Sequence, residues 1–145
     1  MTIDLREAAG TNAWGINSRG EIVGGYLGKD GQSHVFRLRE AQVKTIDFPG
    51  AVDTAPDSLK GGINSRGDIV SYYCVVRPCG FDDSQHGFLQ RDGETTTTMD
   101  FSHGRITGDF GINARGDIVG TYNDANNTAH GFLLKLEERG RDEDE

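Results

Sequence analysis

The chain has little with which to grip nucleic acid, cross a membrane or build a helical core. Its 15 Lys and Arg stand against 23 Asp and Glu, for a net charge of −8 over 145 residues. Phosphate neutralisation needs clustered cations, and no basic stripe occurs, so nucleic acid is not an expected partner. No run approaches the roughly 20 apolar residues of a membrane-spanning helix, so no membrane association is expected either. The opening Met1-Thr2-Ile3-Asp4 is not a secretory signal. As it stands the chain is expected in the cytoplasm, or outside it if a leader precedes this sequence. Only 34% of residues are apolar and 21 are glycine. No segment of ten or more residues carries a 3.6-residue apolar period. That combination excludes a helical bundle and suits a turn-rich β protein with small cores between sheets.

Catalytic signatures are also missing. There is no Gly-x-Ser-x-Gly, no His-Glu-x-x-His and no phosphate loop. Ser102 and His103 lie near Asp100 in sequence alone, and a triad is recognised by geometry. Only two cysteines are present, Cys74 and Cys79. Two are too few for a metal site of their own. They read as two thiols in a loop, with a local disulfide clip as the alternative, which would require an oxidising compartment.

What the chain does have is repetition. Gly15-Ile16-Asn17-Ser18-Arg19-Gly20-Glu21-Ile22-Val23-Gly24 returns as Gly62-Ile63-Asn64-Ser65-Arg66-Gly67-Asp68-Ile69-Val70-Ser71. It returns again as Gly111-Ile112-Asn113-Ala114-Arg115-Gly116-Asp117-Ile118-Val119-Gly120. Self-similarity at this period marks propellers, solenoids and related arrays. Each copy predicts four short strands. The first ends in Gly-Ile-Asn, and a Ser18-Arg19-Gly20 turn leads to the second, Glu21 to Tyr26. Asn17 is placed to hydrogen-bond the backbone ahead of it, and Gly20 to supply the positive φ of a short hairpin. The third strand opens on His34, His86 or His130. A turn at Glu40-Ala41-Gln42, or at Asp92-Gly93-Glu94, leads to the fourth: Val43 to Phe48 in one copy, Thr97 to Phe101 in another. Arg66-Gly67-Asp68 and Arg115-Gly116-Asp117 are read as these hairpin turns and not as integrin-binding tripeptides.

The fourth-strand motif also occurs at the start, as Thr2-Ile3-Asp4-Leu5, while the third copy of His-Gly-Phe-Leu runs straight into an acidic tail. Residues 1–5 are therefore expected to complete the last sheet and lock a closed propeller-like ring without exposed edges. The ring would have three blades, or six as a homodimer in which the N-terminal strand completes the partner's blade. A β-prism or β-trefoil is the alternative, although no Gln-x-Trp pattern of trefoil lectins is present. A strand at Ile3 pairing near residue 130 would give a high contact order and slow folding. One domain is expected over residues 1–136, with repeat cores at about 15–48, 62–101 and 111–136. A solvated, disordered tail is expected over 137–145, where six acids and two arginines leave no apolar residue.

Gly-Ile-Asn-x-x-Gly-(Asp/Glu)-Ile-Val-Gly-x-Tyr, then His-(Gly/Val)-Phe-(Leu/Arg), then Ile46-Asp47-Phe48-Pro49-Gly50, resembles the HAF repeat family of bacterial proteins assigned to the cell exterior. The resemblance covers the chain to about Leu136. It implies a β-propeller-like blade and brings no shared activity with it. The family's usual arrays are longer, and this chain has only three copies and no evident export signal.

The candidate residues follow from the repeat. His34, His86 and His130 hold equivalent places. Brought to one axis they would make a three-imidazole metal centre and a small enzyme site. The plainer reading has each histidine bonding a turn of its own blade, a task needed once per repeat. Trp14, Tyr26, Tyr73 and Tyr122 are candidates for a ligand-stacking surface suited to a glycan or another small molecule, while Phe36, Phe88 and Phe132 read as core. Loops 27–33, 74–85 and 123–129 vary between copies, as functional loops on a repeated scaffold do. Asp82-Asp83 and Asn123-Asp124-Ala125-Asn126-Asn127 are oxygen-rich but lack EF-hand spacing. Asn126-Asn127-Thr128 is a glycosylation sequon, relevant only to a protein secreted from a eukaryote. The leading expectation is a non-enzymatic binding module, with the axial histidine enzyme second and no cofactor specified.

Overall fold

A computed structural model describes residues 1–55, 61–77, 79, 85–91, 94, 96–99 and 105–135. The chain is all-β, with no helix among these residues. Twelve strands occur: β1 (Ala8–Ile16), β2 (Ile22–Gly28), β3 (Ser33–Arg39), β4 (Gln42–Thr45), β5 (Asp53–Thr54), β6 (Gly62–Ile63), β7 (Ile69–Cys74), β8 (Gln85–Gln90), β9 (Thr96–Met99), β10 (Arg105–Ile112), β11 (Ile118–Asn123) and β12 (Ala129–Leu134). They form three antiparallel sheets, one per repeat. Sheet 1 runs β1-β2-β3-β4 and sheet 3 runs β10-β11-β12. In sheet 2, β5 and β6 share the edge of β7, followed by β8 and β9. The two short strands are halves of one position: Asp53 pairs with Cys74 at one end of β7 and Ile63 with Ile69 at the other. The Asp92-Gly93 turn and residues 100–104 and 137–145 lie outside the described residues.

The repeated decapeptide builds the same turn three times. Asn17 Oδ1 accepts the backbone N–H groups of Arg19 and Glu21 at 3.0 and 2.9 Å. Gly20 sits at φ +78°, and Gly67 and Gly116 at +86° and +90°, a region that a side chain would strain. The Asn17 amide then spends both hydrogens. One goes to Glu21 Oε1 at 2.8 Å, the other to the carbonyl of Asn64 in the next repeat at 3.0 Å. Asn64 repeats the arrangement, donating to Asp68 Oδ2 at 3.0 Å and to the Asn113 carbonyl at 3.0 Å. The acid after each turn glycine thus orients the asparagine, and the asparagine ties its sheet to the next. Four side-chain hydrogen bonds from one residue explain why asparagine recurs, since aspartate lacks the donors and alanine lacks everything.

The sheets stack through their apolar faces. Val23, Val35, Ile69, Val70, Tyr72, Phe88, Phe110, Ile118 and Phe132 form one buried cluster, and Phe36 is also fully buried. All three repeat phenylalanines are therefore core, as expected. Burying each of them contributes roughly 1.5–3 kcal/mol by area removed from water. Glycine sets the spacing between sheets. A Cβ on Gly15 would meet Ile63 Cγ2 at 3.5 Å, and one on Gly62 would meet the Phe110 carbonyl at 3.3 Å.

Residues 1–5 depart from expectation. They form no strand, and among the described residues sheet 3 ends at β12. Instead Leu5 N donates to Thr11 Oγ1 at 3.3 Å and Ala8 N to the Leu5 carbonyl at 3.2 Å, folding the segment back on β1 of its own sheet. No barrel or ring closes among the described residues. Strand pairing stays within each repeat, so the expected long-range pairing of Ile3 near residue 130 is absent, and with it the expected source of high contact order.

Candidate functional site

Sheets 1 and 2 leave an open cleft of about 380 Å³ at their junction. Its wall includes Gly10, Asn12 and Trp14 of β1, Gly25 and Tyr26 of β2, Ser33 of β3 and Ala55 beside β5. Ser33 N donates to Asp53 Oδ1 at 2.7 Å, fixing the β3 end of the cleft to sheet 2. Trp14 is half-buried and lies against Gly25, where a Cβ would stand only 2.5 Å from Trp14 Cζ2. Glycine at 25 is therefore what lets the indole rest there. Neither the Asn12 amide nor the Ser33 hydroxyl is spent in a side-chain hydrogen bond among the described residues.

Two of the four expected aromatic ligands, Trp14 and Tyr26, thus line one cleft. The other two do not join them. Tyr73 is buried, stacked on Phe48 at a centroid distance of 3.8 Å, with its hydroxyl on Thr98 Oγ1 at 2.8 Å. A tyrosine so enclosed offers no face to a ligand, which corrects the expectation for that residue. Tyr122 stacks on His130 in sheet 3, at 5.1 Å. Even Tyr26 has its ring stacked on His34 at 4.9 Å and its hydroxyl on Thr45 at 2.9 Å. The repeat pairs tyrosine on the second strand with histidine on the third because the two residues face each other in register: Tyr26 with His34, Tyr73 with His86 and Tyr122 with His130.

That register also decides the histidines. Each lies at the end of its hairpin opposite the asparagine turns through which the sheets bond, beside the tyrosine of its own sheet. The three do not come together as a metal cluster. His34 Nδ1 meets Asp47 at 2.6 Å and its Nε2 meets Asp30 at 3.2 Å. His130 Nε2 meets Asp124 at 2.8 Å. Desolvation alone would lower the His34 pKa, but hydrogen bonds and charge from Asp47 and Asp30 outweigh it and raise the group above its usual 6.5. Asp30 is held below its ordinary range by the Gln32 N–H and by His34, and Asp124 by His130 and the Thr128 N–H. In the turn, burial pushes Glu21 up, while Asn17 and Arg39 pull it down further, for a net lowering.

The variable loops spend their oxygens locally. Asp124 Oδ1 accepts the N–H groups of Asn126 and Thr128 at 2.9 and 3.0 Å, and Asn127 adopts φ +62°, so this loop is a tight turn. Asp82 and Asp83 lie outside the described residues, as do Asp100, Ser102 and His103. Cys74 and Cys79 are joined in a disulfide with Cα atoms 5.9 Å apart, which corrects the two-thiol reading. The chain turns back after β7, and Arg77 pins the turn by donating to Asp53 at 3.0 Å and to the Val52 carbonyl at 3.2 Å. Among the described residues, Asp53, Cys74 and Cys79 form the single group of three or more His, Cys, Asp or Glu close enough to share an ion. With both sulfurs bonded to each other, only Asp53 is left to ligate. The sequence marked Trp14 and Tyr26 by chemistry, but it missed Gly25 and Asn12, whose part depends on the path of β1 over β2. No family model matches the chain, and none of the curated proteins is similar to it.

Proposed function

We propose that this protein is a non-enzymatic binding module that holds a small polar or glycan-like ligand in the cleft between sheets 1 and 2. The observation that carries the reading is the Trp14 wall over Gly25, beside uncommitted Asn12 and Ser33 side chains. Ligand sites combine an aromatic or apolar wall with a few convergent polar groups, in volumes of roughly 300–1,000 Å³. A sugar presents a C–H face to an aromatic ring and hydroxyls to amides, which matches that set. The scaffold is best read as blades of a propeller-like ring of the HAF type, a reading supported by the threefold decapeptide and by one antiparallel sheet per repeat. The Cys74–Cys79 bridge supports an oxidising compartment, where such bonds persist.

The chain has one tryptophan, so its fluorescence reports the cleft directly. Titration with mono- and oligosaccharides, followed by a glycan array, is expected to shift Trp14 emission and give saturable binding. Gly25→Ala should displace the indole and weaken binding at least about tenfold, and Trp14→Ala should abolish it. Silence of both emission and array would sink this reading.

A further inference from the structure

The three sheets bond in one direction, and the series has two open ends. Asn17 donates to Asn64, and Asn64 to Asn113. Asn113 gives one amide hydrogen to Asp117 at 3.2 Å, and its second has no partner among the described residues. At the other end, among the described residues, the Asn17 carbonyl accepts only the Gly20 N–H, at 3.1 Å, whereas the equivalent Asn64 carbonyl accepts both Gly67 and Asn17. One end lacks an acceptor and the other lacks a donor.

The apolar faces are open at the same two ends. Val23 and Val70 are fully buried at the junctions between sheets, but Val119, their equivalent, is 51% exposed. Its cross-strand partner Leu133 is 52% exposed, while Leu89, at the same place in sheet 2, is buried. At the opposite end Ile16 is 67% exposed, although its equivalents Ile63 and Ile112 pack against the core. A Cβ on Gly111 would meet only Val119 of its own sheet, where Gly15 and Gly62 each meet the following sheet.

We propose that these ends meet in a homodimer, sheet 3 of each copy seating on sheet 1 of the other, to make a closed ring of six sheets. The occupant is a second copy because the open face of sheet 3 is the face that sheets 1 and 2 already cover with the next repeat. A twofold axis satisfies both ends of both chains at once. Asn113 of one copy donates to the Asn17 carbonyl of its partner, and Ile16 packs over Gly111. The N-terminal segment of the seated copy then falls beside β12. Asp4 precedes Gly15 by the same eleven residues that separate Asp100 from Gly111. Thr2-Ile3-Asp4-Leu5 is thus spaced to add a fourth strand beyond the three that sheet 3 has among the described residues, turning from its own β1 to the partner's edge.

This rests on the ring arrangement proposed above and is independent of the ligand, since Trp14→Ala leaves the dimer intact whether or not glycans bind. Native mass spectrometry and sedimentation are expected to show twice the 15.8 kDa chain mass. Val119→Asp combined with Leu133→Asp alters side chains already half in solvent, so the chain should still fold by circular dichroism. It should raise the dimer Kd at least about 30-fold, the effect of losing one central anchor pair of about 2 kcal/mol. Ile16→Cys with Gly111→Cys should cross-link on oxidation into a covalent dimer. A folded wild-type monomer at about 50 µM overturns the proposal, as does a dimer indifferent to the two aspartates. A cross-link within one chain would show instead a ring of three sheets, and polymers growing with concentration would show an open stack; either result also overturns it.

Discussion

Val70 and Val119 stand at the same place in the repeat, each following an Asn-x-x-Gly-Asp-Ile turn, yet Val70 is sealed between sheets and Val119 faces solvent. Sheet 2 has a neighbour on both sides and sheet 3 on one. Identical local sequence therefore gives identical local structure but unequal energetics, because burial depends on what lies across the junction. Asparagine shows the same contrast. Asn64 is buried with all four of its side-chain hydrogen bonds made, whereas Asn113 is exposed with three. A hydrogen-bonding group is costly to lose where water cannot replace the partner, and cheap where it can.

The sharpest break of this comparison is an aspartate at each valine. Val70→Asp buries an unpaired carboxylate and is expected to cost at least about 3 kcal/mol, enough to unfold much of the protein at room temperature. Val119→Asp should stay within about 0.5 kcal/mol for the isolated chain. Urea unfolding of both variants at high dilution checks this, and equal losses would show that sheet 3 is as enclosed as sheet 2. Alanine at the asparagines comes next in size. Asn64→Ala should cost about 2–4 kcal/mol, from the loss of four side-chain hydrogen bonds of roughly 1 kcal/mol each at a buried site. Asn113→Ala should cost about half as much, measured by thermal melts.

The smallest effect concerns His34 of sheet 1, which has a carboxylate from the segment after β4, Asp47, as well as one from the loop, Asp30. Because its folded pKa is raised, the protonated ring favours the folded state. That stabilisation is complete below pH 6.5 and is lost as pH rises through the raised value. A His34→Asn variant should flatten the melting temperature across this window. A wild-type melting temperature that does not fall there, relative to the variant, would contradict the ion pairs. Acid acts oppositely at Glu21, whose lowered pKa makes its contribution present above 4.5 and lost as pH falls through the folded value.

Much of the secondary structure was legible because it is local. The Asn-x-x-Gly turns, the period-2 strands and the phenylalanine core all appear where residue types and spacing put them. The turn at Glu40-Ala41 also forms, with both residues at positive φ. Less legible was anything set by orientation. Three equivalent histidines invited a shared centre, but strand register turns each one to its own tyrosine, and His34 and His130 also to nearby carboxylates. Tyr26 and Tyr73 look alike in sequence, but the Phe48 ring, from the segment after β4, stacks on the second. The four-letter match of residues 2–5 to a fourth strand predicted a strand there, but the segment forms none and folds back on β1.

The sequence by itself determined the all-β class, the three repeats and the turn chemistry, because φ preferences, hydrogen-bonding side chains and alternation act over a few residues. The tertiary structure decided which equivalent residues are buried, that Trp14 lies over Gly25 in a cleft, and that the stack is open at Asn17 and Asn113. Those outcomes depend on contacts between sheets 47 and 49 residues apart, where the neighbour and not the local sequence sets each environment.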